Sequence, residues 1–178
     1  IEPAPEQCAK WLQNAAYQDQ IISATQPSTT LLGFNFRKTL FQDLRVRRKI
    51  RETLDISRMA GDIGAHLVVA TKGLLPRSLI HIPHVVHSQE IPLSLEETRG
   101  SDWSVLTLIS PSGTLFTQTA EQIRQDLEGI GASLDVRLLE KPEYEQSLQN
   151  GDFDLAILSV TTLSPDPREM LSIFLIPE

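Results

Sequence analysis

The sequence predicts a three-layer α/β/α domain built on a mixed, largely parallel sheet. In the second half of the chain, apolar runs typical of buried strands alternate with amphipathic helical patterns. This order is expected when parallel strands are joined by helices that pack on the sheet. A further apolar run at residues 31–36 supplies an earlier strand. With 178 residues, 40% of them hydrophobic, the chain is long enough to bury the core of one domain.

The chain begins with a predicted helix over residues 5–16. Pro5 suits the first helical position, and apolar residues then recur at helical spacing. These residues are Cys8, Trp11, Leu12 and Ala15. A strand is predicted at residues 20–25, and Gln26-Pro27-Ser28 is typical of a turn.

Residues 31–57 form the best-defined part of the first half. The strand at 31–36 is followed by a short link, 37–42, and then by a helix. Asp43 stands where an N-cap is expected, and its carboxylate can accept from free N–H groups of the first turn. Val46, Ile50 and Leu54 follow at spacings of four and predict the buried face of that helix.

The opposite face of this helix is basic. Residues 37–51 hold seven Lys/Arg and one acid, which gives this segment a charge of +6. Because the net charge of the chain is −7, the remaining residues together carry −13. A basic helix can be a nucleic-acid face, but a cationic face opposite an apolar stripe is more often solvated or salt-bridged. Together with the acidic total, this indicates that nucleic acid is not a partner.

The middle of the chain has a weaker pattern. Asp55 can cap a second helix over residues 56–69, and residues 77–100 are predicted to be an irregular extended loop. The loop contains His81, His84 and His87, whose spacing of three could align them on one face of a polyproline helix. Three imidazoles can bind zinc or nickel. The alternative is that these histidines lie on the surface of a loop and are flanked by apolar residues. We favour this alternative and expect no metal.

From residue 104 onward the elements are clear. A buried strand at 104–109 is followed by a turn at 110–113, a helix capped by Thr117 or Thr119, and a strand at 134–138. Gly131 can end that helix in the left-handed conformation. The apolar stripe of the helix comprises Ala120, Ile123, Leu127 and Ile130. A strand, helix and strand of this length form a βαβ unit with parallel strands.

The last part adds a helix at 142–149, an apolar strand at 154–160, a turn at 161–165 and a closing helix. Asp166 and Pro167 supply the N-cap and first position of that final helix. The residues predicted to lie in the core are Leu106, Leu108, Ile123, Val136 and Ile157.

No group of residues predicts catalysis. The chain lacks a Gly-rich phosphate loop, and Asp43 and Asp166 are better explained as helix caps than as acids or bases. Cys8, the one cysteine, lies on a helical stripe and cannot form an intrachain disulfide. No apolar run reaches the length of a membrane span. We therefore expect a protein that is not an enzyme and that needs no cofactor.

Several short motifs share one order with a known family. They are Gly33-Phe34-Asn35, Phe41-Gln42-Asp43-Leu44-Arg45-Val46-Arg47, Gly129-Ile130-Gly131, Glu140-Lys141-Pro142-Glu143-Tyr144, Gly151-Asp152-Phe153-Asp154 and Asp166-Pro167. This set resembles the second lobe of the family 5 extracytoplasmic solute-binding proteins, the oligopeptide-, dipeptide- and nickel-type binding components of ABC transporters. The chain departs from the family at Thr39-Leu40, where two prolines are common, and at residues 77–100, where a helix is usual.

The resemblance implies that residues 1–178 form one lobe of a class II periplasmic binding protein, as a fragment of a larger two-lobed protein. The expected partners are a small solute or oligopeptide, the first lobe of the same protein and an ABC transporter permease. The expected location is periplasmic or extracytoplasmic, with membrane anchoring of the whole protein left open. The alternative is the effector domain of a transcriptional regulator that has the same fold.

The candidate ligand-binding residues are Ser159, Thr161, Thr162 and Asn35. The first three leave the strand at 154–160, and ligands of open α/β sheets bind beyond the carboxyl ends of strands. Asn35 leaves the strand at 31–36. In peptide binders of the family, the segment that follows the strand corresponding to 154–160 supplies an Asp for the ligand's amino terminus. The corresponding place here is near Leu163 and holds no acid. Alternatively, all four side chains bond only local backbone groups.

Overall fold

The structure is a computed structural model that describes residues 5–64 except 23 and 25, and residues 68–71, 73–76, 79, 105–164 and 166–172. The strands are β1 (Ser28–Phe34), β2 (Leu106–Pro111), β3 (Leu134–Leu139) and β4 (Leu155–Thr161). The α-helices are α1 (Pro5–Gln13), α2 (Thr39–Gln42), α3 (Leu44–Thr53), α4 (Ile56–Gly64), α5 (Thr114–Glu128), α6 (Lys141–Asn150) and α7 (Pro167–Ser172). None of these helices is long and apolar enough to cross a membrane.

The four strands form one sheet in the order β1-β4-β2-β3. β2 is parallel to both β3 and β4, as predicted for the βαβ unit. β1 is antiparallel to β4, and the pairs Ser28–Thr161 and Phe34–Leu155 mark the two ends of their ladder. The prediction of a mixed, largely parallel sheet is confirmed.

Helices pack on both faces of this sheet, which gives the three predicted layers. The larger apolar cluster joins one face to α2, α3, α4 and α5, and a smaller cluster joins the other face to α6. Side chains alternate between the two clusters because successive strand residues point to opposite faces. Of the predicted core residues, Leu106, Leu108, Ile123 and Ile157 are buried, and Val136 is half-buried against the larger cluster.

The N-terminal part differs from the prediction. α1 ends at Gln13, and the strand predicted at residues 20–25 is wrong for the described residues of that stretch. Gln20 lies in a short 3-10 helix, Gln18–Gln20, and Ile22 is 95% exposed. Strand residues need a hydrogen-bonded neighbour, and none of the described strands runs beside Ile22. Ser23 and Thr25 lie outside the described residues.

The two caps predicted in the first half are present. The Asp43 carboxylate accepts a hydrogen bond from the Arg45 N–H at 2.8 Å, and Asp55 accepts one from the Arg58 N–H at 3.0 Å. Val46 and Ile50 are buried on α3, as predicted. α4 ends at Gly64, and Val68 and Val69 lie outside a helix, so the helix predicted for 56–69 is too long at its C-terminus.

The start of α5 corrects another prediction. The helix begins at Thr114 and is capped by Gly113, whose φ of 140° favours glycine. Thr117 and Thr119 lie inside the helix, and their hydroxyls donate to the carbonyls four residues earlier, at 2.9 and 2.8 Å. They are therefore not caps. Gly131 has the positive φ expected after the helix, 88°.

The final helix begins as predicted, with the Asp166 carboxylate accepting from the Arg168 N–H at 2.9 Å. The predicted loop at 77–100 lies outside the described residues except for Leu79, which is buried. His81, His84 and His87 are also outside the described residues.

Candidate functional site

One edge of the sheet collects three of the four residues that were expected to bind ligand, Ser159, Thr161 and Thr162. β2, β3 and β4 are parallel, so their carboxyl ends lie at the same edge. β1 runs the opposite way and begins there, at Ser28. We call this edge, made by the start of β1 and the ends of the other strands, the carboxyl edge.

Two strands extend past the rest of this edge. Ile109 of β2 pairs with Ala156 of β4, and in this register Pro111, the last residue of β2, lies level with Leu158. Residues 159–161 therefore reach about 10 Å further, at roughly 3.3 Å per residue. They remain paired with residues 28–30. We call these two segments the projecting ribbon.

One face of the projecting ribbon carries only hydroxyl side chains. Thr161 lies opposite Ser28, and Ser159 lies opposite Thr30, so all four point to the same side. We call this set the hydroxyl face. The Thr161 hydroxyl donates to the Ser28 hydroxyl at 2.9 Å, and the hydroxyls of Ser28 and Ser159 are 3.5 Å apart. Thr30, Ser159 and Thr161 are exposed, so the face is open to solvent.

The position after β4 is held differently. Thr162 is only 5% exposed, and its hydroxyl donates to the Glu169 carboxylate of α7 at 2.9 Å. The same hydroxyl accepts from the Ser164 N–H at 3.2 Å, and the Thr162 N–H donates to the Pro27 carbonyl at 3.1 Å. Thr162 therefore ties the loop after β4 to α7 and to the start of β1.

The loop that follows is apolar at its tip and offers no unpaired acid among its described residues. Leu163 is 100% exposed. The next carboxylate, that of Asp166, pairs with the Arg168 guanidinium at 2.7 Å. The Arg168 side-chain hydrogen bond lowers the pKa of Asp166, with a smaller contribution from the Arg168 N–H. The Asp166 carboxylate thus stays ionised and already has a cationic partner.

Asn35 lies at the other edge of the sheet. It follows Phe34, which pairs with the first residue of β4, so the ladder separates it from Thr161 by about 20 Å. Its Nδ2 donates to the carbonyls of Gly151 and Phe153 at 3.0 and 2.8 Å, and its Oδ1 accepts from the Arg37 N–H at 3.1 Å. Asn35 thus bonds backbone groups, the alternative role that the sequence left open, but two of these groups lie 116 and 118 residues further along the chain.

The structure therefore brings together Ser159, Thr161 and Thr162 and leaves Asn35 apart. It also adds Ser28 and Thr30, which were not among the expected site residues because a turn was predicted at 26–28 and the strand was predicted to begin at 31. The run Ser28-Thr29-Thr30 was the available signal, since β-branched threonines favour strands. Thr29 faces the other side, where it is 4% exposed and its hydroxyl has no partner among the described residues.

Within the described part of the chain, no cluster of three or more His, Cys, Asp or Glu could hold a metal ion. Cys8 on α1 is half-buried with a free thiol.

The carboxyl edge offers neutral hydroxyls, backbone groups and one exposed leucine, a chemistry suited to binding polar or peptide-like molecules.

Comparison with known proteins gives a family match over the whole chain. The model of the bacterial extracellular solute-binding proteins, family 5 Middle, matches residues 1–178. A search of curated protein sequences found no match.

Solved structures share the fold at low sequence identity. The periplasmic binding protein DppA from Helicobacter pylori, in complex with the peptide STSA, gives a TM-score of 0.75 at 16% identity, covering 96% of this chain and 34% of that protein. An oligopeptide-binding protein from Borrelia burgdorferi gives 0.75 at 17% identity, covering 97% and 35%. A dipeptide-binding protein from Pseudoalteromonas sp. SM9913, in complex with Met-Leu, gives 0.69 at 17% identity, covering 97% and 39%. This chain thus spans little more than a third of their length.

Proposed function

The chain belongs to the bacterial extracellular solute-binding proteins of family 5, and from this premise we propose that it is the ligand-binding lobe of an ABC-transporter substrate-binding protein. The observation that carries the proposal is the projecting ribbon, because it presents an open, uncharged set of hydrogen-bonding groups at the carboxyl edge. This is where ligands of open α/β sheets bind. The family is one of binding proteins rather than enzymes.

The proposed ligand is a small polar solute or an oligopeptide, bound on the hydroxyl face. Hydroxyls both donate and accept, so Ser159 and Thr161 can bond the amide groups of an extended peptide. Thr162 holds the loop behind them through Glu169. Two of the three solved structures described above contain bound peptides, STSA and Met-Leu, which supports the peptide class.

The charge of the site refines this proposal. Leu163 is exposed and Asp166 is paired with Arg168, so this segment offers no free carboxylate for an ammonium group. We therefore expect the lobe to contact a neutral backbone or apolar part of the ligand. A charged amino terminus would need its partner elsewhere, since a desolvated ammonium group without a counter-charge is costly.

The lobe is proposed to form half of a binding site. Ligand pockets bury about 70–90% of their ligand, and one open edge cannot do so. The proposed partners are the first lobe of the same protein, which would close over the ligand about a hinge, and an ABC transporter permease. The proposed location is extracytoplasmic, with or without a membrane anchor. Neither the family match nor the solved structures support the alternative of a regulator's effector domain.

Calorimetric titration of this chain with a mixture of di- to pentapeptides tests the half-site. We expect a folded protein with a single cooperative melt and binding no tighter than about 1 mM, which corresponds to roughly −4 kcal/mol. Micromolar or tighter binding by this chain alone would contradict the half-site.

The hydroxyl face is tested in the two-lobed protein. There, Thr161→Val and Ser159→Ala should each weaken peptide binding about tenfold, because a polar ligand group loses its hydrogen-bond partner. Thr53→Val removes a hydroxyl that bonds the Lys49 carbonyl on α3 and serves as the matched control. Equal affinities for Thr161→Val and the control would rule out ligand contact by Thr161.

A further inference from the structure

A second concave surface lies at the edge of the sheet opposite the carboxyl edge. It is a groove between the end of β1 and one side of α3, lined by Phe34, Phe36, Leu44, Arg47, Arg48 and Arg51. Phe34 pairs with Leu155, the first residue of β4, whereas the hydroxyl face lies at Thr161, the last residue of β4. The two surfaces are therefore about 20 Å apart along the paired strands β1 and β4. Occupation of one does not block the other.

The floor of the groove is apolar and open. Phe36 is 59% exposed and Leu44 is 48% exposed, although each is a large apolar side chain. Both line the same groove. Exposed apolar side chains that share a groove with a charged rim are typical of sites that bind a partner.

The rim is cationic, and one of its cations is held in place. The Arg47 guanidinium lies 4.8 Å from the centroid of the Phe36 ring. Its Nη1 donates to the carbonyls of Phe41 and Gln42 at 2.5 and 3.1 Å. Those bonds use one nitrogen of a group with five N–H donors, so Arg47 keeps donors for a carboxylate. A fixed guanidinium loses little conformational freedom when it binds.

Two arginines of this rim, Arg47 and Arg48, have no acidic partner in the described part of the chain. Asp43 is the one acid among residues 37–51, and its carboxylate bonds the N–H and guanidinium of Arg45. Arg48 has no ion pair among the described residues. The charge surplus of the segment is therefore presented in part by the groove.

We propose that this groove binds an acidic segment of a partner protein, with a large apolar side chain on Phe36 and Leu44 and flanking carboxylates on Arg47 and Arg48. Arginine forms strong paired bonds with carboxylates, and the apolar floor selects a side chain between them. A short protein segment fits better than a nucleic acid, because it contacts only the basic groove, whereas an extended polyanion would run over the rest of the chain, which carries −13.

Fluorescence anisotropy with short labelled peptides tests the proposal on this chain. The probe is Glu-Glu-Phe-Glu-Glu, compared with Glu-Glu-Gly-Glu-Glu, Lys-Lys-Phe-Lys-Lys and a five-residue oligothymidylate. We expect binding of the first probe that is at least tenfold tighter than that of the other three and that weakens with added salt. Absence of binding by the first probe, or equal binding by the glycine peptide or the oligonucleotide, would overturn the proposal.

Two variants locate the binding. Arg48→Glu and Leu44→Ala should each weaken the first probe at least tenfold, and both change side chains that are not buried, so the fold should persist. Lys141→Glu on α6 makes the same change of charge on the other side of the sheet and should leave binding within twofold. A similar loss in Lys141→Glu would mean that only net charge matters and would also overturn the proposal.

Discussion

Asn35 shows how a single buried amide joins two distant parts of the chain. It is 6% exposed, and its side chain bonds two carbonyls of the turn before β4 and one N–H of its own loop. Asn35→Ala leaves those buried groups without partners, so we expect a loss of about 2–3 kcal/mol in the free energy of unfolding. Urea denaturation measures this loss.

The control is Asn150→Ala, which removes one exposed hydrogen bond to Asp152 and should lower the free energy of unfolding by less than about 0.5 kcal/mol. Equal losses in the two variants would show that the buried hydrogen bonds of Asn35 stabilise the fold no more than an exposed one.

Tyr144 gives the fold a dependence on alkaline pH. Its hydroxyl donates to the Ile157 carbonyl at 2.6 Å, and burial raises its pKa from 10.0 to about 12. The folded state holds this proton more tightly than the unfolded state. Its contribution is therefore complete below pH 10 and is lost as the pH rises from about 10 to 12. Across that window we expect a loss on the order of 2 kcal/mol.

The control for this prediction is Tyr144→Phe, which has no proton to lose. Its stability curve should be flatter than that of the parent between pH 10 and 12, as measured by urea denaturation in that range. Tyr17→Phe makes the same substitution at an exposed position and is the matched control, and it should follow the parent curve. Parallel curves for Tyr144→Phe and the parent would exclude Tyr144 as the source.

At the scale of elements, α5 is held to the sheet by one narrow stripe. Ala120, Ile123 and Leu127 are buried in the larger cluster, at 0%, 3% and 0% exposure. Ile123→Ala should lower the free energy of unfolding by about 2–5 kcal/mol, because it removes buried methyl groups and leaves a cavity. Ile22→Ala, at a position that is 95% exposed, should change it little. Comparable effects of the two substitutions would be incompatible with the packing of α5.

The start of a helix could be predicted where a single side chain stabilises it through local hydrogen bonds. Asp43 and Asp166 were predictable caps because a carboxylate at that position satisfies backbone donors without any tertiary contact. Residues 20–25 were not predictable, because their β-branched pattern says nothing about whether a neighbouring strand exists. At α5, Gly113 and its φ of 140° set the start, which made Thr117 and Thr119 poor guides.

The full set of candidate site residues could be identified only from the topology of the whole sheet. Ser159 and Thr161 could be predicted, since they leave a clear strand toward the carboxyl edge. Ser28 and Thr30 join them only because β1 is antiparallel to β4, and the same reversal carries Asn35 to the opposite edge. Strand direction and order depend on pairing between segments far apart in sequence, which local patterns do not encode.

That pairing has a consequence for how the molecule folds. β2, α5, β3, α6 and β4 follow one another within residues 106–161, so their contacts form between near neighbours. β1 must instead find β4 across a large loop, since Ser28 and Thr161 are 133 residues apart. Closing a long loop costs chain entropy before any contact is gained, and such distant pairings slow folding. We expect the contiguous unit to assemble first and β1 to join last. In pulsed hydrogen exchange during refolding, amides of β1 should become protected after those of β2 and β3; simultaneous protection would mean that β1 belongs to the folding nucleus.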